Sequence, residues 1–264
     1  MAKIEAGKLE AKIAELLAAF YERRRARLAE LKLVKILKRK NPYLYRARGV
    51  SSASAIVREI LEAFITSSDE GIFGNVFFEP LAKWAAEQAA SGTPGVNVSV
   101  AASEGVDVSV EDAVCYAAIA VKSGVNIFNA QSRKRQLQDF DALRRRVSKL
   151  NKRFDAVIGY CYGQKKRRED STSPVIELAG QEFWERVTGE EGFYIRFLSL
   201  MRDLPQKHAP IFREELGRAE NRLVAEFLFH FADASGQIDW PKLAAFNSGK
   251  ETLKLAKYSG QPTS

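Results

Sequence analysis

The sequence predicts an α+β fold in which helices flank a mixed four-stranded sheet, and three observations predict it. Apolar residues recur at helical spacing both before residue 90 and after residue 170. Between those flanks the period changes to two: Val96, Val98 and Val100 alternate with Asn97 and Ser99, and Val106, Val108 and Val110 alternate with Asp107 and Ser109. Residues 113–121 and 156–161 are almost wholly apolar, as strands buried on both faces are. A helical stretch separates these last two runs, so they should be parallel neighbours joined by a crossover.

In chain order, residues 8 to about 40 read as one helix, with Leu9, Ile13, Leu16, Leu17, Phe20, Leu28, Leu31, Leu33 and Ile36 at helical spacing and Asn41-Pro42 as its stop. A second helix starts near Ser52 or Ser54 and places Ile56, Val57, Ile60, Leu61 and Phe64 on one face. Ser67-Ser68-Asp69-Glu70 reads as the cap of a third, running to about Ala90, where Gly92-Thr93-Pro94-Gly95 breaks the chain. The first three strands then form a meander, turning at Glu111-Asp112 before the third. A helix over 132–151 and the fourth strand come next. From 170 onward the pattern is helical again, with turns near Pro205, Pro210 and Gly236 and aromatics such as Phe183, Trp184, Phe193 and Phe197 as core. This divides the chain into a basic helical segment (1–50), a central core (51–168), a C-terminal helical region (169–248) and a flexible tail (249–264).

With 46% hydrophobic and 28% charged residues among 264, the chain has the composition of a globular protein. No apolar run reaches the roughly 18 to 20 residues of a membrane span, and the N-terminus lacks the apolar region of a secretion signal. A cytoplasmic protein with no membrane partner is expected. Cys115 and Cys161 lie in strand-like runs and read as free thiols; with two histidines they make a poor zinc set.

The net charge of +8 is clustered. Residues 1–50 carry fourteen Lys/Arg against five Glu. Residues 131–168 carry thirteen against three Asp, among them Arg133, Lys134, Arg135, Arg144, Arg145, Arg146, Lys165, Lys166, Arg167 and Arg168. Two such regions point to a polyanionic partner, although each taken alone also reads as a solvated helix face. The N-terminal helix has a second reading as an oligomerisation element, but the run from Glu22 to Arg27 interrupts its apolar stripe.

Three polar residues stand out against apolar surroundings. Asp107 is a lone carboxylate in an alternating strand, Lys122 ends the apolar third strand, and Glu79 lies in the preceding helix near Leu81 and Trp84. Phosphodiester hydrolysis needs a divalent cation held by hard oxygen ligands, and a lysine beside it can stabilise developing charge. Each residue also has a plain reading, as a solvent-facing strand carboxylate, a strand-end charge and an exposed helix residue. The loop and helix start after Lys122 carry Ser123, Asn126, Asn129, Gln131 and Ser132, groups able to bond to phosphates and base edges.

The strand order resembles the PD-(D/E)xK nuclease core. Six local stretches are also similar to one group of type II restriction endonucleases, the PmeII-like family. They are Lys40-Asn41-Pro42-Tyr43-Leu44-Tyr45-Arg46, Ser67-Ser68-Asp69-Glu70 with Phe73-Gly74, and Glu104-Gly105-Val106-Asp107. The other three are Val121-Lys122-Ser123-Gly124 with Asn126 and Asn129, Gly159-Tyr160-Cys161-Tyr162-Gly163, and Gly180-Gln181-Glu182-Phe183-Trp184. The resemblance implies sequence-specific cleavage of double-stranded DNA by a homodimer, with magnesium (or manganese) as cofactor and a cognate methyltransferase acting separately. It implies Asp107 as the central metal ligand, the backbone carbonyl of Val121 as another, and Lys122 as the catalytic lysine. The chain departs from the pattern at Ala120, where the family motif has Asp or Glu, so a carboxylate is expected from elsewhere. Glu79 is the first choice, with Glu104 and Glu70 as substitutes and Gln131 as a neutral ligand. Two alternatives stay open: a DNA nuclease of repair or phage defence, and a non-catalytic nucleic-acid-binding protein with a degenerate site.

Overall fold

A computed structural model describes residues 1–166, 173–250, 253–256 and 258, the side chains of Ala101 and Ala102 excepted. The chain divides into two compact units, one of residues 1–20 and 70–205, the other of 21–69 and 206–264. No helix among the described residues is long and apolar enough to cross a membrane.

The first unit is built on one five-stranded sheet in sequential order: β1 (Asn97–Ser103), β2 (Val106–Glu111), β3 (Cys115–Gly124), β4 (Arg153–Tyr162) and β5 (Val175–Ala179). The first three strands pair antiparallel, and β3–β4 and β4–β5 pair parallel. The expected meander and crossover are both present. The expected four strands become five, because residues 175–179 form an edge strand beside β4 rather than part of the C-terminal helices. The crossover helix is α6 (Ala130–Val147), opened by a reciprocal capping box between Asn129 and Ser132.

The two faces of the sheet are covered differently. Val108, Ile119, Val121, Val157, Cys161 and Leu178 form one core cluster with Leu9, Ile13, Leu16 and Leu17 of α1 (Ala6–Ala29). The same cluster takes in Leu81, Ala82, Ala85 and Ala86 of α5 (Glu79–Ser91), Phe183 and Trp184 of α7 (Gln181–Thr188), and Phe193 and Phe197 of α8 (Phe193–Met201). Tyr116, Ala118, Ala120, Ala156, Ile158 and Tyr160 face the other way, against Phe140 and Leu143 of α6. Alternate residues of β3 and β4 thus serve opposite layers, which is why these strands are apolar throughout. Gly159 of β4 is required for one contact: a Cβ there would stand 2.2 Å from the Phe183 ring.

Three helix boundaries differ from expectation. The first helix ends at Ala29, and α2 (Leu33–Leu37) and α3 (Pro42–Ala47) come after it. Asn41 does not merely end a helix; its side chain caps α3 by accepting from the amides of Tyr43 and Leu44, with Pro42 in the first turn. Ser67–Glu70 caps nothing, because it lies inside α4 (Ala53–Phe73). The Asp69 carboxylate is taken in a two-pronged pair with Arg24, at 2.8 and 2.7 Å, and Glu70 accepts from the Tyr162 hydroxyl. The turn expected near Pro210 is present, and Pro210 itself sits in the first turn of the helix that follows it, α9 (Ala209–Phe231).

The second unit buries Leu33, Ile56, Val57, Ile60, Leu223, Phe227 and Phe231, together with Leu243 and Phe246 of α10 (Trp240–Ser248). The Asn247 amide donates to the carbonyls of Leu37 and Lys40, satisfying the chain end of α2. Of the tail predicted to be flexible, residues 251, 252, 257 and 259–264 lie outside the described residues.

Candidate active site

The site begins with an irregularity in a helix. Between α4 and α5 the chain makes one π-helical stretch, Gly74–Phe78, and Glu79 is the next residue. Such a stretch widens the turn and re-aims the helix beyond it, and it recurs at functional sites. It rests on the end of β3: a Cβ on Gly74 would come within 2.9 Å of the Ser123 Cβ. Pro80 follows Glu79 directly and, having no N–H, makes no hydrogen bond back into that stretch. The small buried residues Ala82, Ala85, Ala86 and Ala89 let α5 pack closely on the sheet. Glu79 and Lys83, one turn apart, then stand beside the ends of β2 and β3.

There the β2–β3 ladder stops. Its last pair is Val108 with Ile119, and beyond it the Asp107 side chain replaces a backbone acceptor, Oδ2 taking the Val121 N–H at 2.8 Å. The Lys83 Nζ lies 2.5 Å from Glu79 Oε1 and 3.7 Å from Asp107 Oδ1. Burial pushes the Asp107 carboxyl up; the Val121 amide pulls it down, the Glu79 charge pushes it up again, and Lys122 and Lys83 oppose that. The net direction is upward, with burial as the largest cause. Lys122 is half-buried within β3, with Nζ 5.7 Å from the Phe128 ring centroid. Cys161 lies underneath, its thiol held far toward the neutral form by burial and by the charges of Glu79 and Asp107.

Glu79, Asp107 and Lys122 are therefore neighbours, joined by a residue that sequence reading passed over, Lys83. Its signal was present, since Glu79 and Lys83 have the four-residue spacing of a helix ion pair. Among the described residues no group of three or more His, Cys, Asp or Glu side chains is arranged to hold a metal. Two carboxylates remain a fit for magnesium, which is commonly held through one or two carboxylates plus waters and substrate phosphate.

The other candidates fall elsewhere. Ala120 is fully buried in the layer facing α6, so an acidic residue there would enter an apolar core. Glu104 is exposed in the β1–β2 turn and paired with Arg135, Glu70 is engaged by Tyr162, and Gln131 is exposed on α6. Asn129 and Ser132 spend their side chains on the α6 cap, Ser123 backs Gly74, and Asn126 is exposed. Of the basic residues, Arg144 lies over the Phe154 ring and Arg146 donates to Ser103. Lys134, Arg145 and Lys166 are exposed. Arg167 and Arg168 lie outside the described residues.

Arg133 and Lys165 converge instead on Glu177 of β5, a second polar cluster completed by the Tyr160 hydroxyl at 2.9 Å. Burial raises the Glu177 carboxyl, but hydrogen bonds from Arg133, Lys165 and Tyr160 outweigh it and leave it at about 2, against an ordinary 4.5. A depressed carboxylate contributes stability that is complete above its unfolded pKa and lost as pH falls through the folded one. Acid unfolding of the wild type should show a loss between about pH 4.5 and 2 that Glu177→Gln lacks. Superimposable acid titrations of the two proteins would remove Glu177 from the account.

The family model of the type II restriction endonuclease EcoO109I matches residues 7–208, which include the whole sheet and Glu79, Lys83, Asp107 and Lys122. No curated protein matches the chain. The match does not separately support the narrower PmeII-like resemblance. On a match over more than half its length, to a family whose nuclease fold this mixed sheet with helical flanks suits, the chain belongs to the EcoO109I family of type II restriction endonucleases.

Proposed function

We propose that the chain cleaves double-stranded DNA at a specific sequence, with magnesium as its cofactor and manganese as a substitute, and that it acts as a homodimer. The observation that carries this reading is the convergence of Asp107, Glu79 and Lys122 where β2 and β3 part. Membership of a restriction endonuclease family makes DNA the substrate. Asp107 and Glu79 would hold the cation, with the Val121 carbonyl as a further oxygen donor. A divalent ion there supplies charge neutralisation at the phosphate and a more acidic bound water. Lys122 directs its ammonium at the scissile phosphate and stabilises the charge that builds on its oxygens. The Val121 N–H keeps the Asp107 carboxylate in one orientation throughout. Cutting both strands of a symmetric site calls for a homodimer, and a cognate methyltransferase would act as a separate protein.

The buried Ala120 and the pair of carboxylates, where three would be stronger, favour a second reading, a DNA-binding protein whose nuclease site has decayed. Purified protein incubated with plasmid and phage DNA, with and without magnesium, separates the two. Discrete magnesium-dependent fragments are expected. A smear would reject sequence specificity, and retained DNA binding without cleavage would establish the decayed site.

DNA affinity should depend steeply on salt through the exposed cations of α6. Each phosphate contact adds about 0.9 to the slope of log affinity against log salt, so Lys134→Ala with Arg145→Ala should lower that slope by about 2. An unchanged slope would turn this helix face away from DNA.

A further inference from the structure

We propose that Lys83 is the resident counter-cation of the Glu79–Asp107 pair, and that a divalent cation entering the site displaces its ammonium. The inference rests on the reading of those two carboxylates as metal-binding. Magnesium–oxygen distances are about 2.0 to 2.1 Å, so an ion bound by both carboxylates must sit close to an oxygen of each. That wedge already holds the Lys83 Nζ, 2.5 Å from Glu79 Oε1 and 3.7 Å from Asp107 Oδ1. Two cations on the same two oxygens would repel each other strongly. The three side chains are only 26%, 32% and 22% exposed for Lys83, Glu79 and Asp107, so solvent screens this contact less than a surface pair.

The arrangement also explains how two carboxylates tolerate each other at a half-buried strand end. Without metal, Glu79 and Asp107 are balanced by Lys83 and Lys122. Lys83 is suited to a reversible post, since its ammonium rides on a flexible four-carbon stem and swings to solvent without disturbing α5. Once it leaves, the loaded site carries excess positive charge, which favours an anionic phosphodiester. Metal and DNA should then each raise the affinity for the other by the same factor.

The test is direct titration of DNA-free protein with Mn2+, free ion being followed by electron paramagnetic resonance, for wild type, Lys83→Met and Lys83→Arg. Removing a competing cation should tighten Mn2+ binding by about tenfold in Lys83→Met, within the range of ordinary couplings between sites. Lys83→Arg should stay near wild type. Without metal, Lys83→Met should melt below wild type, and saturating Mn2+ should close that gap. Equal or weaker Mn2+ binding by Lys83→Met, with wild-type binding intact, would overturn the Lys83 inference alone. No Mn2+ binding by either protein, with DNA binding retained, would overturn the metal site and this inference with it. Lys83→Gln provides a second neutral variant should the methionine fail to fold.

Discussion

Asp107→Asn should lower magnesium-dependent DNA cleavage on the order of a thousandfold, the scale on which removing one group aimed at developing charge acts, while DNA affinity stays within a few-fold. The substitution is nearly isosteric, and the amide oxygen can still accept the Val121 N–H that Asp107 takes at 2.8 Å. The end of the β2–β3 ladder is thereby kept and only the charge is lost. Lys122→Ala should match it in cleavage, since it removes the ammonium proposed to act on the same phosphate, and this half-buried position of β3 belongs to neither core cluster. Single-turnover cleavage and gel-shift affinity, measured on one preparation, separate chemistry from binding. Full cleavage by Asp107→Asn would refute the assignment of the site; full cleavage by Lys122→Ala would remove that lysine from the reaction.

Trp184→Ala should destabilise the first unit by about 4 kcal/mol, the cost of truncating a large buried aromatic. Its side chain is fully buried and packs against Phe183, Phe193 and Phe197, with ring centroids 5.0, 5.5 and 5.1 Å away. Its indole N–H also donates to the Cys161 carbonyl at 2.8 Å, and losing that donor leaves a buried acceptor unpaired at about 1 to 3 kcal/mol. Trp184→Phe, which restores most of the volume but not the donor, should cost clearly less. The effect should extend to cleavage, because Trp184 also touches Phe78, the residue before Glu79. Denaturant unfolding measures the loss, and a value under about 1 kcal/mol, the scale of a surface substitution, would contradict this packing.

Most of the sheet was legible in the sequence because it depends on local pattern. Alternating valines declare strands with one buried face, and unbroken apolar runs declare β3 and β4, whose neighbours cover both sides. The same patterns exposed Asp107, Lys122 and Glu79, since a charge inside an apolar rhythm is conspicuous. The fifth strand escaped notice because Val175–Ala179 is short and carries Glu177 at its centre. It is a strand only because β4 offers it a parallel edge and because Arg133, Lys165 and Tyr160 satisfy its carboxylate. Ser67–Glu70 reads as a cap until Arg24 and Tyr162 claim Asp69 and Glu70, and Asn129 and Ser132 read as DNA contacts until α6 claims them as its own cap.

By itself, then, the sequence determined the class of fold, the order of β1 to β4 and the three charged residues proposed for the site. Only the tertiary structure decided that Lys83 shares their site, that Ala120 is core and that Glu104 points to α6 instead. The reason is physical: periodicity records which side of an element is buried, whereas the meeting of side chains depends on how α5, aimed by the π-helical turn before it, docks against the parting ends of β2 and β3.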